Sequence, residues 1–225
     1  MYDISYVVKY FPYFLPAAWM TLQISVIGII FGLVLGLVTA LGKLSALPVF
    51  RITANIYIYL IRGTPLLLQI MFVYYGLVRI VDLSPFTSGA LALGVHNGAY
   101  IAEIFRGAIQ SIDRGQMEAA RSLGMPHWKA MQRIILPQAF KRAIPPLGNQ
   151  FIIALKDSSL ASAITISELL LKAQQLAAST FRMMEMLTIA GIFYLIYTSF
   201  FTLLLHCLES RLRYSERYQG GLKND

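Results

Sequence analysis

Lys156-Asp157-Ser158-Ser159 puts a cation, an anion and two hydroxyls on consecutive residues of an otherwise apolar stretch. Adjacent positions on a helix point about 100° apart, so these charges do not simply neutralise each other. A zwitterionic ligand needs an anion for its ammonium and a cation or hydroxyl for its carboxylate. Lys156, Asp157 and Ser158 offer both; the alternative is a structural ion pair to another segment. Thr64, Gln69, Asn97 and Tyr100 also stand in apolar surroundings, with His96 beside Asn97. Polar groups inside a membrane span are costly and are functional candidates by default. Pro65 removes one helical hydrogen bond and frees the carbonyl of Ile61. Irregular backbone at membrane depth is tolerated where it is buried or lines a cavity. A substrate path and an ordinary proline kink explain Thr64-Pro65 equally well. Glu103 and Arg106, three residues apart, read as partners of each other. Arg62 is close enough to a span end to snorkel. His96, His127 and His206 fall in three separate regions, and neither a nucleophile–base pair nor metal-ligand spacing is present. No catalytic or metal site is expected.

The elements that must carry these residues are helices in a membrane. The chain has 225 residues, 57% hydrophobic and 13% charged, with a mean hydropathy of +0.62. Residues 10–42, 63–78, 83–102 and 186–208 contain no Asp, Glu, Lys or Arg. A helix needs roughly 20 apolar residues to cross the hydrocarbon core. The expected fold is all-α: a single polytopic domain over 1–225 with five transmembrane helices near 16–42, 54–80, 86–110, 143–165 and 186–209. Counting helical rise from the span ends puts Gln69, Asn97 and Asp157 in the middle or outer half of the membrane.

The net charge of +8 reads as loop charge that orients the chain, not as a nucleic-acid surface. Lys43 and Arg51, the 111–142 loop, and the tail with Arg211, Arg213, Arg217 and Lys223 all fall on one side of a five-span arrangement. Lys and Arg favour the cytoplasm, so the N-terminus is expected outside and the C-terminus inside. The aromatic start, Tyr2 to Phe14, is expected on the outer interface. No secretory leader is recognisable. Gly28, Gly32 and Gly36 share one helix face; they serve packing within the subunit or a dimer seam. Cys207, the only cysteine, is expected to be a buried inert thiol.

The 111–142 loop contains EAARSLGMPHWKAMQRIILP at 118–137. Glu118 to Leu123 is good helix material. Gly124 suits a left-handed stop, and Pro126 suits the first turn of a second helix, which Pro137 ends or kinks. An amphipathic loop resting on the bilayer is the plainer reading, and Trp128 fits it. The Ala pair on an exposed helix also admits the close approach of a partner backbone.

Glu118-Ala119-Ala120, Gly124, Ile134 and Leu136-Pro137 at this spacing resemble the EAA motif of ABC-transporter permeases. RGTPLLLQ at 62–69, NGAYIAEIFRGAI at 97–109, PPLGNQFI at 145–152 and KDSSL at 156–160 are similar to the polar amino acid branch, which imports glutamine, histidine, arginine or cystine. Where that branch often has Asn followed by Ser or Thr, this chain has His96-Asn97. The resemblance implies an importer subunit with a coupling helix, in which Glu118, Ala119, Ala120, Ser122, Leu123 and Gly124 dock on a cytoplasmic ATPase. It implies two ATPase copies, a second permease (identical or homologous), an extracytoplasmic substrate-binding protein and a bacterial inner membrane with its lipids. Cystine or a basic amino acid is the expected cargo. Gly42-Lys43 lacks the phosphate-loop spacing, so ATP belongs to the partner and no cofactor is expected here. A self-sufficient secondary carrier or channel is the alternative.

Overall fold

The computed structural model describes residues 2–77 and 80–221, with side chains up to 211. Arg213, Arg217 and Lys223 therefore lie outside the described side chains.

Asp3 caps α1 (Ile4–Tyr10) by accepting from the Ser5 amide. A 3-10 turn over Phe11–Phe14 leads into α2 (Leu15–Leu44), so residues 4–44 run on as one helical stretch. The aromatic start is helical and continuous with α2, and Phe11 stacks on Phe193 at 4.6 Å. Next come α3 (Pro48–Arg62) and α4 (Leu66–Met71), which continues as a π-turn to Gly76. α5 spans Pro85–Gln110 and is started by the Ser84 hydroxyl, which accepts from the Thr87 amide.

The glycines of α2 decide how α5 packs. A Cβ on Gly36 would lie 2.6 Å from Cγ2 of Ile101, and one on Gly32 would lie 3.2 Å from Cβ of Asn97. On the other side, a Cβ on Gly94 would sit 2.2 Å from a Phe31 ring carbon. Both helices thin their backbones to meet along this seam. The glycine face serves packing within the subunit, so it is not a dimer seam.

The second expected span, 54–80, is broken. α3 and α4 meet at 105° across Gly63–Pro65. Among the described residues two helices are long and apolar enough to cross a membrane, and the bent pair makes a third if it is one span. The expected third and fourth spans are helical, but their apolar runs are diluted by His96, Asn97, Gln150 and Lys156.

After α5 the chain forms α6 (Arg114–Ser122) and α7 (His127–Ala130), a π-turn over Met131–Ile135, and α8 (Leu136–Asp157). Pro137 neither ends nor separates these. The helix continues across it, and the π-turn over Met131–Ile135 just before it is the local adjustment that accommodates the proline. α8 passes through Pro145 and Pro146, then tightens to a 3-10 segment over Ser158–Ile164 that ends at Thr165, φ 66°. The segment between the last two expected spans contains α9 (Leu169–Thr180). Leu169, Ala173 and Ala177, four residues apart, pack with Phe14, Ala17 and Ala18 and with Met186 and Ile189. α10 runs from Met183 to Gly221. Cys207 lies on its exposed face, which corrects the buried thiol; that stretch of α10 packs on its Leu205 side, against Gly148.

Candidate functional site

Breaking a helix frees carbonyls, and the structure shows what takes them up. The Thr64 hydroxyl donates to Leu60 O at 2.9 Å. The Gln69 amide, one turn into α4, reaches back to Ile61 O at 2.8 Å and to the Thr64 hydroxyl at 2.8 Å. The carbonyl that Pro65 was expected to free is the one that Gln69 satisfies. The Gln69 Oε1 atom meets His96 Nδ1 at 3.0 Å, and the His96 ring lies 5.0 Å from Tyr100. Thr64, Gln69 and Tyr100 thus converge through His96. A cavity of about 470 Å³ opens beside them, lined by Ile61, Thr64, Gln69, Phe72, Ala92 and Val95 among others. Tyr57 of α3 crosses to the Val95 carbonyl at 2.6 Å and ties the break to α5.

Asn97 stands apart from that cavity. It is fully buried, donates to Leu93 O at 2.8 Å and accepts from Gln150 at 2.9 Å. Its amide bridges α5 to α8. Gln150 went unremarked in the sequence; its position inside an apolar run was the available signal.

At the end of α8, Ser158 is buried and donates to Leu155 O at 2.8 Å. Lys156 is exposed and Asp157 half-buried. Among the described residues neither forms a salt bridge to another element. The 3-10 segment that follows packs Leu160 and Ala161 into one cluster with Leu66 and Ile70 of α4. Folding therefore carries the Lys156-Asp157 end of α8 to the helix that bears Gln69. Glu103 does pair with Arg106, at 2.8 Å, and also with Lys43 of α2, at 2.5 Å.

A buried carboxylate was missed. Glu168 has no solvent exposure and caps α9 by accepting from the Leu170 and Leu171 amides at 2.9 and 2.8 Å. Tyr194 of α10 donates to it at 2.9 Å. Thr21 of α2 accepts from the Leu169 amide at 3.2 Å. An acidic residue just before Leu169-Leu170-Leu171 is a helix-start signal.

The 113–130 region is a helix–turn–helix. The Asp113 carboxylate accepts from the Gly115 amide and starts α6. Gly124 takes φ +81°. Its amide donates to Arg121 O at 3.0 Å, and the Met125 amide to Ala120 O at 3.1 Å. These two bonds make a Schellman stop. Pro126 sits one position before α7, as its N-cap. Glu118, Ala119, Ser122, Leu123 and Gly124 are exposed, and Leu123 is 85% exposed. Ala120 is 2% exposed; it belongs to the inside of the hairpin.

An all-helical membrane fold with a polar network at a broken helix, and a presented helical hairpin at one end, is a transport-protein architecture. Residues 28–214 match the family described as "Binding-protein-dependent transport system inner membrane component", and the chain belongs to that family. It is 39% identical to the glutamine transport system permease protein GlnP of Escherichia coli (strain K12), covering 94% of this chain and 98% of that one. It is 37% identical to the arginine transport system permease protein ArtQ of Bacillus subtilis (strain 168), covering 94% and 97%. A crystal structure of an amino acid ABC transporter with histidines superposes with a TM-score of 0.90 at 40% identity, covering 94% of this chain and 99% of that one.

Proposed function

We propose that this chain is the membrane subunit of an ATP-driven importer that carries a polar amino acid across a bacterial inner membrane. The observation that carries this reading is the exposed hairpin of α6 and α7, whose Gly124 stop presents Glu118, Ala119, Ser122 and Leu123 at the surface. A rigid, solvent-facing helix end is what a motor subunit needs to grip. Ala120 supports the hairpin from within. Two ATPase subunits would dock there and bind the ATP, so no cofactor belongs to this chain. A second permease would complete the path, and an extracytoplasmic binding protein would deliver the cargo. The five-crossing arrangement, N-terminus outside and C-terminus inside, follows from the basic loops if α3 and α4 count as one broken span.

Thr64, Gln69 and Tyr100, joined through His96, form the cargo's route, with Lys156, Asp157 and Ser158 beside α4. Asp157 takes the ammonium. Asn97 acts by holding α5 against α8. Cystine and the basic amino acids remain the first cargoes to try.

The test is purification of the tagged chain from its native membrane in mild detergent, followed by reconstitution. A stoichiometric ATPase and ATP-dependent uptake of one of glutamine, histidine, arginine or cystine are expected. Uptake that persists with the ATPase site inactivated makes the chain a secondary carrier instead.

A further inference from the structure

Consecutive residues of the helix break divide between two cavities. Ile61 and Thr64 face the one already described. Arg62 and Gly63 face a second, of about 600 Å³, with Lys43, Asn55, Ile58, Tyr59 and Tyr100. Its charges do not balance. Lys43 and Arg106 share a single carboxylate, Glu103. Arg62 meets no carboxylate among the described residues; its guanidinium lies over the Tyr100 ring, 5.1 Å from the centroid. An arginine stacked on an aromatic face holds its planar fork in place and leaves N–H donors at its edge for a partner. The partner such a fork matches is a carboxylate, held by two parallel hydrogen bonds. Tyr100 also packs on His96, which bonds Gln69. Arg62, Tyr100, His96 and Gln69 therefore run in contact from one cavity to the other.

We propose that Arg62, backed by Tyr100, is a second station for the α-carboxylate of the transported amino acid, reached after the cargo leaves the Thr64–Gln69 cavity. This rests on the importer reading above and adds to it a site that the Asp157 cluster does not supply. A carboxylate moving between stations inside a protein is costly to leave unpaired. On the Ile61–Thr64 side the Leu60 and Ile61 carbonyls are already taken up by Thr64 and Gln69, so the donors for a carboxylate lie on the Arg62 side of the break. The order of the two stations follows the Lys43 end of the structure, where the basic loop residues begin.

The test is equilibrium binding of labelled L-glutamine, L-arginine, L-histidine and L-cystine to the detergent-purified complex of this chain with its ATPase, without binding protein. Each is competed by the unlabelled acid and by its α-carboxamide. The wild type should bind at least one and prefer the acid over the amide at least tenfold. Arg62→Gln should reduce that preference to within twofold, and Arg62→Lys should keep part of it. Tyr100→Leu leaves the charge but removes its backing, and should weaken binding of the acid three- to tenfold. An Arg62→Gln complex that keeps the full preference overturns the proposal. So does a wild type that binds none of the four. If Arg62→Gln does not assemble, unchanged binding by Tyr100→Leu overturns it. Binding that behaves as expected in a complex that shows no ATP-dependent uptake would sink the importer reading and leave the carboxylate site standing.

Discussion

Replacing Gly124 with valine tests the hairpin by its backbone alone. A Cβ at this position has nothing within 4 Å, so no steric clash enters. The cost comes from φ +81°, a region that costs an L-residue about 1–2 kcal/mol and a β-branched one more. Leaving that region breaks the Gly124–Arg121 and Met125–Ala120 bonds, each contributing roughly 1 kcal/mol net. Valine pays whichever of these is smaller, about 2 kcal/mol, and 1.4 kcal/mol is tenfold in a population. The docking-competent hairpin should fall by about thirtyfold relative to alternatives, while the spans, which do not use this turn, insert normally. The assay is ATP-driven uptake in proteoliposomes alongside the amount of protein in the membrane. Uptake should drop at least tenfold at equal protein. Gly124→Asn, which tolerates the left-handed region better, should lie between. Valine with wild-type uptake would refute the docking argument. A loss of protein matching the loss of uptake would show instead that the turn serves folding.

Gly36→Val places a side chain 2.6 Å from Ile101 Cγ2 and 2.9 Å from Gly98 O; overpacking of about 1–3 kcal/mol or more should lower thermal stability in detergent, and an unchanged melting curve would contradict the seam. Glu168→Ala strips the acceptor from two amides and the Tyr194 hydroxyl. Cap loss alone is about 1 kcal/mol, so a lower melting temperature is expected, with Glu168→Gln closer to wild type. Asp157→Asn removes the anion proposed for the cargo's ammonium and should raise the KM for uptake or abolish it; unchanged kinetics remove Asp157 from the path.

Helix content was legible because it rests on local composition. The Gly124 stop was legible for the same reason: one residue type relieves one backbone strain. The Pro65 argument named the carbonyl that would be freed, that of Ile61, but not its partner. Gln69 supplies the bond from eight residues away, across a 105° bend that periodicity does not encode. Asn97 and Gln69 looked alike in the sequence, each a lone amide in an apolar run. Only the packing of α5 on α8 separates a buried bridge from a cavity wall. Glu168 was hidden because its charge is balanced by amides and a tyrosine hydroxyl, not by a cation that a charge count would notice. Cys207 shows the opposite error: an apolar neighbourhood in a membrane helix does not mean an interior one.

The π-turn at 131–135 joins α7 to α8 without interruption, so helix runs from His127 to Asp157. At 1.5 Å per residue that is about 45 Å of strut. One end lies beside the hairpin that Gly124 stops; the other carries Lys156 and Asp157. A tilt of about 10° about one end moves the other by roughly 8 Å, if the rod holds its 1.5 Å rise throughout. Mechanical work delivered at the hairpin thus needs no relay of side chains to reach the charged residues. It arrives as leverage, along a shaft that stays helical through the proline pair at 145–146.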